Sequence, residues 1–165
     1  AKLGAIYIDP HFDLRDFDKG ANSGTSFNEI AKFCEKNNLA YHYYCLGVNK
    51  QSNSEELYAI ADDLGVHYCF DQEMEKASDL IKHCIATCDY IYLTLDMDAF
   101  KSDFAPGVSA QAKIGLEIEL VKDLISEIKA SNKIIVADIA ELNPRFDIDE
   151  RTAKLAAQFI EFILS

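Results

Sequence analysis

At 165 residues with a formal net charge of −12 and a pI near 4.6, the chain is long enough to bury a core without disulfides or a structural metal. The excess of acid, offset by no basic patch, argues against nucleic acid or an anionic membrane as a partner and leaves small molecules or proteins. No apolar run approaches the length that spans a bilayer, and Ala1 to Gly4 lead straight into strand-like sequence, so a cytoplasmic protein is expected.

Apolar, strand-forming residues fill five short runs, at 4–8, 40–46, 66–70, 90–95 and 133–138, each apolar on both faces. Amphipathic helical stretches lie between them. Phe27, Ile30, Ala31 and Cys34 mark the first, and Ser54 is placed to cap a second. Met74, Ala77, Ile81, Cys84, Ile85 and Cys88 mark a third, with Asp71 as its expected N-cap. Residues 116–128 and 152–163 repeat the pattern. Strands alternating with helices predict an α/β fold, one domain over 1–165 in three αβα layers with a mostly parallel, doubly wound sheet.

Two carboxylate clusters, Asp9-Pro10-His11-Phe12-Asp13 and Asp96-Met97-Asp98, each follow directly on a strand run. Alternate positions on a strand share a face, so each cluster can aim its ligand-type groups at one point. In an open parallel sheet ligands bind beyond the carboxyl ends of the strands, and Glu141, three residues past the last strand, reaches the same crevice. Four carboxylates and one imidazole repel strongly without a cation among them, and O and N donors of this kind suit Mn²⁺, Zn²⁺ or Mg²⁺. Single aspartates such as Asp71 and Asp103 are read instead as caps or solvent-facing groups.

Cys34, Cys45, Cys69, Cys84 and Cys88 sit in apolar segments without CxxC spacing. They read as small core residues in a reducing compartment, with no zinc ribbon, redox pair or catalytic thiol. His42 and His67 fall inside strand runs and His83 on a helix, which suits packing or surface roles better than ligation. The tyrosines of 41–44 and 90–92 read as sheet packing.

Three segments resemble motifs of the arginase-like ureohydrolases. Residues 8–15 (Ile-Asp-Pro-His-Phe-Asp-Leu-Arg) are similar to the family's DAHxD motif, with Pro10 where alanine is usual. Thr94-Leu95-Asp96-Met97-Asp98 resembles SxDxD, and residues 138–144 resemble DxxExNP. Ser23-Gly24-Thr25, the 105–110 loop and the Arg-Thr-Ala run within 149–157 point to the formimidoylglutamase branch.

The resemblance implies a site for two Mn²⁺ ions, bridged by Asp9 and Asp96, with His11 and Asp98 completing one ion and Asp13 binding the other. It implies hydrolysis of an amidine-like C–N bond, in formimidoylglutamate giving glutamate and formamide, with Asp13 as proton carrier and Glu141 pairing with the cationic amidine. Arg15, Arg145 and Arg151 are candidates for the substrate carboxylates, and Ser23 stands where the arginases proper carry a histidine. The resemblance also implies a further histidine ligand upstream of the first motif, absent from this sequence, so the chain is expected to be the C-terminal part of a ureohydrolase, truncated at the N-terminus. An exposed sheet edge would then favour homo-oligomers.

Three other readings remain open at this stage. An arginase- or agmatinase-type hydrolase would use the same ligands. A phosphohydrolase with Asp96 as nucleophile and one Mg²⁺ explains Asp96 and Asp98 but not Asp9, His11 and Asp13. A non-catalytic scaffold would keep the sheet and a partial metal site.

Overall fold

The computed structural model describes residues 1–165. Its centre is one parallel sheet of β1 (Leu3–Ile8), β2 (His42–Val48), β3 (His67–Phe70), β4 (Tyr90–Asp96) and β5 (Ile134–Ala140), in the order β3-β2-β1-β4-β5. The helices α1 (Ser26–Lys36), α2 (Glu55–Asp63), α3 (Ala77–Thr87), α4 (Ile118–Ala130) and α5 (Arg151–Leu164) connect and flank it. From β1 the chain winds outward through β2 to β3, then crosses back to β4 and winds the other way to β5. Right-handed crossovers put helices on opposite faces when the winding direction reverses. The expected three-layer, doubly wound architecture is therefore the one observed.

Strand alternation divides the core in two. Ile6, Ile8, Tyr44, Leu46, Ile91, Leu93 and Leu95 point to the face covered by α3, α4 and α5. Ala5, Tyr7, Tyr43 and Cys45 point to the other, where Phe27 of α1 and Ala61 of α2 pack. On that second face α1 and α2 cover β1 to β3, while β5 is bare, with Val136, the partner of Tyr92, 49% exposed. Its apolar composition predicts burial on both faces, yet this chain supplies no cover for one of them.

Boundaries depart from expectation where tertiary contacts decide. β2 starts at His42 rather than residue 40, because pairing begins opposite Gly4 and residues 40–41 find no partner strand. It continues to Val48 through Gly47, whose φ of 93° suits glycine and coincides with a shift of register against β3. Ser54 caps α2 as predicted, accepting from Leu57 N. Asp71 does not cap α3: its carboxylate accepts from Asn49 Nδ2 at 2.8 Å, and a 3₁₀ turn at Met74–Lys76 leads into the helix. α4 begins at Ile118, not 116, because Leu116 N donates to Ala99 O at 2.8 Å. Gly115 makes that closure possible, since a Cβ there would lie 2.5 Å from the carbonyl carbon of Phe100.

Candidate metal centre

The reversal of winding falls between β1 and β4, and a crevice opens there at the carboxyl ends of the strands. Ile8 pairs with Leu46 on one side and Leu95 on the other, so Asp9 emerges beside Asp96, the last residue of β4. Both acidic clusters thus arrive at one point from separate strands.

The loop after β1 is pinned from below. Asn53, buried, accepts from Phe12 N (3.0 Å) and donates to Pro10 O (2.8 Å). Tyr43 Oη donates to Phe12 O (2.9 Å), and the fully buried Phe12 ring packs edge-on against Tyr58 and Tyr68. His11 N closes a tight turn on Asp9 Oδ1 at 2.7 Å. Asp13 then adopts φ 51°, and Glu141 after β5 adopts φ 64°. Left-handed backbone is uncommon for non-glycine residues and costs on the order of 1–3 kcal/mol, a strain that clusters at functional sites.

Ligand atoms of Asp9, His11 and Asp98 all lie within 4.8 Å of one another. His11 Nδ1 is 3.1 Å from Asp9 Oδ1 and 3.6 Å from Asp98 Oδ2. Asp9 Oδ2 and Asp98 Oδ1 are buried without any hydrogen-bond partner. Orphaned buried carboxylate oxygens are costly, and a divalent cation between them would satisfy both. Asp96 and Asp13 stand outside this trio: Asp96 accepts from Asp98 N (2.8 Å) and Tyr7 Oη (2.9 Å), and Asp13 from the same hydroxyl (3.0 Å). Asp13, Arg15, Ser23 and Glu141 line the crevice with the trio and Asp96.

Crowding the acids shifts their ionisation. Burial, reinforced by Asp96 and Asp13, pushes the Asp9 carboxyl well above the usual range. Burial raises Asp98 to about 10, with Asp9 and Asp96 adding to the shift, and raises Asp13 to about 6. Glu141 moves up for the same first cause, with Asp96 second. Without a cation, the folded chain therefore favours the protonated forms of Asp9 and Asp98.

Arg15 lines the crevice, and Gly24 leaves it room, since a Cβ would sit 3.0 Å from Arg15 Cδ. Arg145 is exposed outside it, and Arg151 Nη1 donates to Asp103 O (3.3 Å). Gly107 marks a close backbone approach: a Cβ would meet Asp147 at 2.7 Å, and its N–H donates to the Thr152 hydroxyl at 2.7 Å. His42 and His67 open β2 and β3, at the opposite end of the sheet, and His83 Nδ1 lies 3.0 Å from Tyr44 Oη. Cys45, Cys69, Cys84 and Cys88 are buried; Cys34 is only partly so.

Tyr7, Asn53 and the Tyr92–Thr94–Asp138 network were not foreseen. Tyr92 Oη and Thr94 Oγ1 hold Asp138 at 2.5 and 2.6 Å. The available signal was period two: Tyr7 and Thr94 each precede a strand-end aspartate by two residues and share its face.

A carboxyl with a raised folded pKa contributes stability that is fully present below its unfolded value, near 3.8 for Asp98, and lost as pH rises through the folded value, about 10. Between pH 9 and pH 7, above the range of histidine titration, the metal-free chain is expected to gain about 1 kcal/mol of stability per pH unit on acidification. Asp98→Asn should reduce that slope in denaturant titrations; an unchanged slope contradicts the raised pKa that burial, and secondarily the neighbouring acids, give Asp98.

Comparison with known proteins agrees with the three motifs. A sequence model of the Arginase family matches residues 1–165. Formimidoylglutamase of Photobacterium profundum is 44% identical over 173 residues, covering 95% of this chain and 48% of that protein. The Vibrio parahaemolyticus enzyme of the same name is 42% identical over 168 residues, covering 95% and 49%. Among solved structures, formimidoylglutamase from Bacillus subtilis superposes with a TM-score of 0.89 at 24% identity, over 99% of this chain and 52% of the other. Trypanosoma cruzi formiminoglutamase with Mn²⁺ gives a TM-score of 0.85 at 24% identity, over 99% and 56%. The chain spans about half the length of the curated relatives it matches. Five parallel strands, acids converging where the winding reverses, and a family match over every residue lead to one assignment: the chain belongs to the Arginase family.

Proposed function

We propose that the crevice is the two-metal site of a hydrolase cleaving the C–N bond of a linear amidine, with N-formimidoyl-L-glutamate as substrate and L-glutamate and formamide as products. The observation that carries this reading is the convergence of ligand atoms of Asp9, His11 and Asp98 within 4.8 Å, with Asp9 Oδ2 and Asp98 Oδ1 buried and without partners. The names of the relatives support the substrate.

In this reading Asp9, His11, Asp13, Asp96 and Asp98 would together hold the two ions. Mn²⁺ is the proposed metal, supported by the oxygen-rich donor set and by the Mn²⁺ in the related T. cruzi structure. Two divalent cations supply Lewis acidity, which lowers the pKa of water and offsets the crowded negative charge.

The chain's own side chains do the rest. Glu141 pairs with the amidinium end of the substrate, and Arg15 pairs with a carboxylate at its glutamate end. An acidic floor with one arginine at its margin thus matches a ligand that is cationic at one end and anionic at the other, and Ser23 adds a hydroxyl beside Arg15. Water adds to the amidine carbon and gives up a proton to Asp13, the bond from that carbon to the glutamate nitrogen breaks, and Asp13 passes that proton to the leaving amine. The proposed setting is a reducing cytoplasm, which five free cysteines suit.

Formamide release from N-formimidoyl-L-glutamate by the Mn²⁺-loaded protein tests the reading. Glu141→Gln is expected to lower kcat/KM at least tenfold with metal content unchanged, and Arg15→Ala to act mainly on KM. Faster release of urea from arginine or agmatine would overturn the substrate, and metal loading without hydrolysis of any amidine would leave a non-catalytic scaffold.

The bare edge and face of β5 support homo-oligomers of this chain in isolation. Sedimentation equilibrium should show association that Val136→Lys weakens; a strictly monomeric chain at micromolar concentration would contradict it.

A further inference from the structure

The acids of the crevice come from different strand ends, and one neutral side chain links them. Tyr7 lies in β1, paired with Cys45 of β2 and Thr94 of β4, and is 3% exposed. Its ring stacks on Phe27 at 4.7 Å, and Phe27 stacks on Tyr43 at 4.2 Å with an interplanar angle of 3°. The ring is therefore buried and held by stacking on one side. Its hydroxyl sits 2.9 Å from Asp96 Oδ2 and 3.0 Å from Asp13 Oδ2.

That placement is unequal in its consequences. The other oxygen of Asp96 is already held by Asp98 N at 2.8 Å. The Asp13 carboxylate has the Tyr7 hydroxyl as its one hydrogen-bond partner, on a residue whose backbone is left-handed at φ 51°. One hydroxyl carries one proton, so it donates to one carboxylate at a time while lying within reach of both. The remaining lone pairs of Asp13 and Asp96 stay free for a cation.

We infer that Tyr7 is a positioning residue of the metal centre: its hydroxyl fixes the Asp13 carboxylate relative to Asp96 across the β1–β4 crevice, so that both are presented together to divalent metal. This rests on the metal-site reading above and deepens it. Groups that orient metal ligands through hydrogen bonds commonly change metal affinity 10- to 100-fold when removed.

The test is Mn²⁺ titration of the unaltered chain, followed by the electron paramagnetic resonance signal of free Mn²⁺, beside Tyr7→Phe, Asp13→Ala and the double variant. Tyr7→Phe retains the stacked ring, and circular dichroism checks that the variant is folded. The expected result is Mn²⁺ affinity at least about tenfold weaker in Tyr7→Phe, with little additional loss when it is combined with Asp13→Ala, because the hydroxyl acts through that carboxylate. Tyr41→Phe, whose hydroxyl donates to the Phe27 carbonyl in the same aromatic group, should bind as the unaltered chain does.

Affinity within twofold of the unaltered chain, fully additive losses in the double variant, or no Mn²⁺ bound by the unaltered chain would each overturn the inference. Hydrolysis is not the readout. A chain that binds Mn²⁺, loses affinity in Tyr7→Phe and hydrolyses no amidine would refute the proposed reaction and leave the role of Tyr7 standing.

Discussion

Like-charge crowding at the carboxyl ends of β1 and β4 governs this molecule's site. Asp9, Asp96 and Asp98 are buried at the point where the sheet reverses its winding, with Asp13 and Glu141 at the margin. In a poorly hydrated crevice Asp9 and Asp98 favour their neutral forms, or else a cation that offsets the charge. The protein tolerates this because the framework beneath is over-determined. Each of the two strands is hydrogen-bonded on both sides, and the loop bearing His11 and Asp13 is anchored by Asn53, Tyr43 and the buried Phe12 ring. Rigid strand ends keep the acids together where flexible loops would let them part.

The same framework sorts the donors into two sets. Asp9, His11 and Asp98 converge, and the two aspartates each keep one buried oxygen unpaired, whereas Asp13 and Asp96 meet at the Tyr7 hydroxyl. A second layer of bonds continues along the sheet, where Tyr92 and Thr94 of β4 hold Asp138 of β5. Tyr7, Thr94 and Asp138 occupy one cross-strand row, and Asp9 and Asp96 lie in the row above it. The site is thus the top row of a polar column that rises on one face of an otherwise apolar sheet.

Much of this was legible in the sequence because the physics is local. Strand runs of β-branched and aromatic residues, and helices with apolar spacing of three and four, account for the element order, and acids at alternate positions after Ile8 and Leu95 mark the residues that meet in the crevice. What stayed hidden depends on partners distant in sequence. Tyr7 reads as one more aromatic in Ala5-Ile6-Tyr7-Ile8 until the register brings Asp96 within reach of it. Asn53 sits in a polar loop that gives no hint of its bonds 43 residues back. Asp71 has the composition of an N-cap, but Asn49 claims its carboxylate. β5 has the apolar sequence of a covered strand, and this chain leaves one face of it bare.

Anomalous scattering from crystals of the chain soaked in MnCl₂, recorded at the manganese absorption edge, bears most directly on whether the crevice is a divalent-cation site. A peak between Asp9 Oδ2 and Asp98 Oδ1, beside His11, is the predicted result. Absence of any peak in the crevice, or manganese bound only at exposed surface carboxylates, would contradict it.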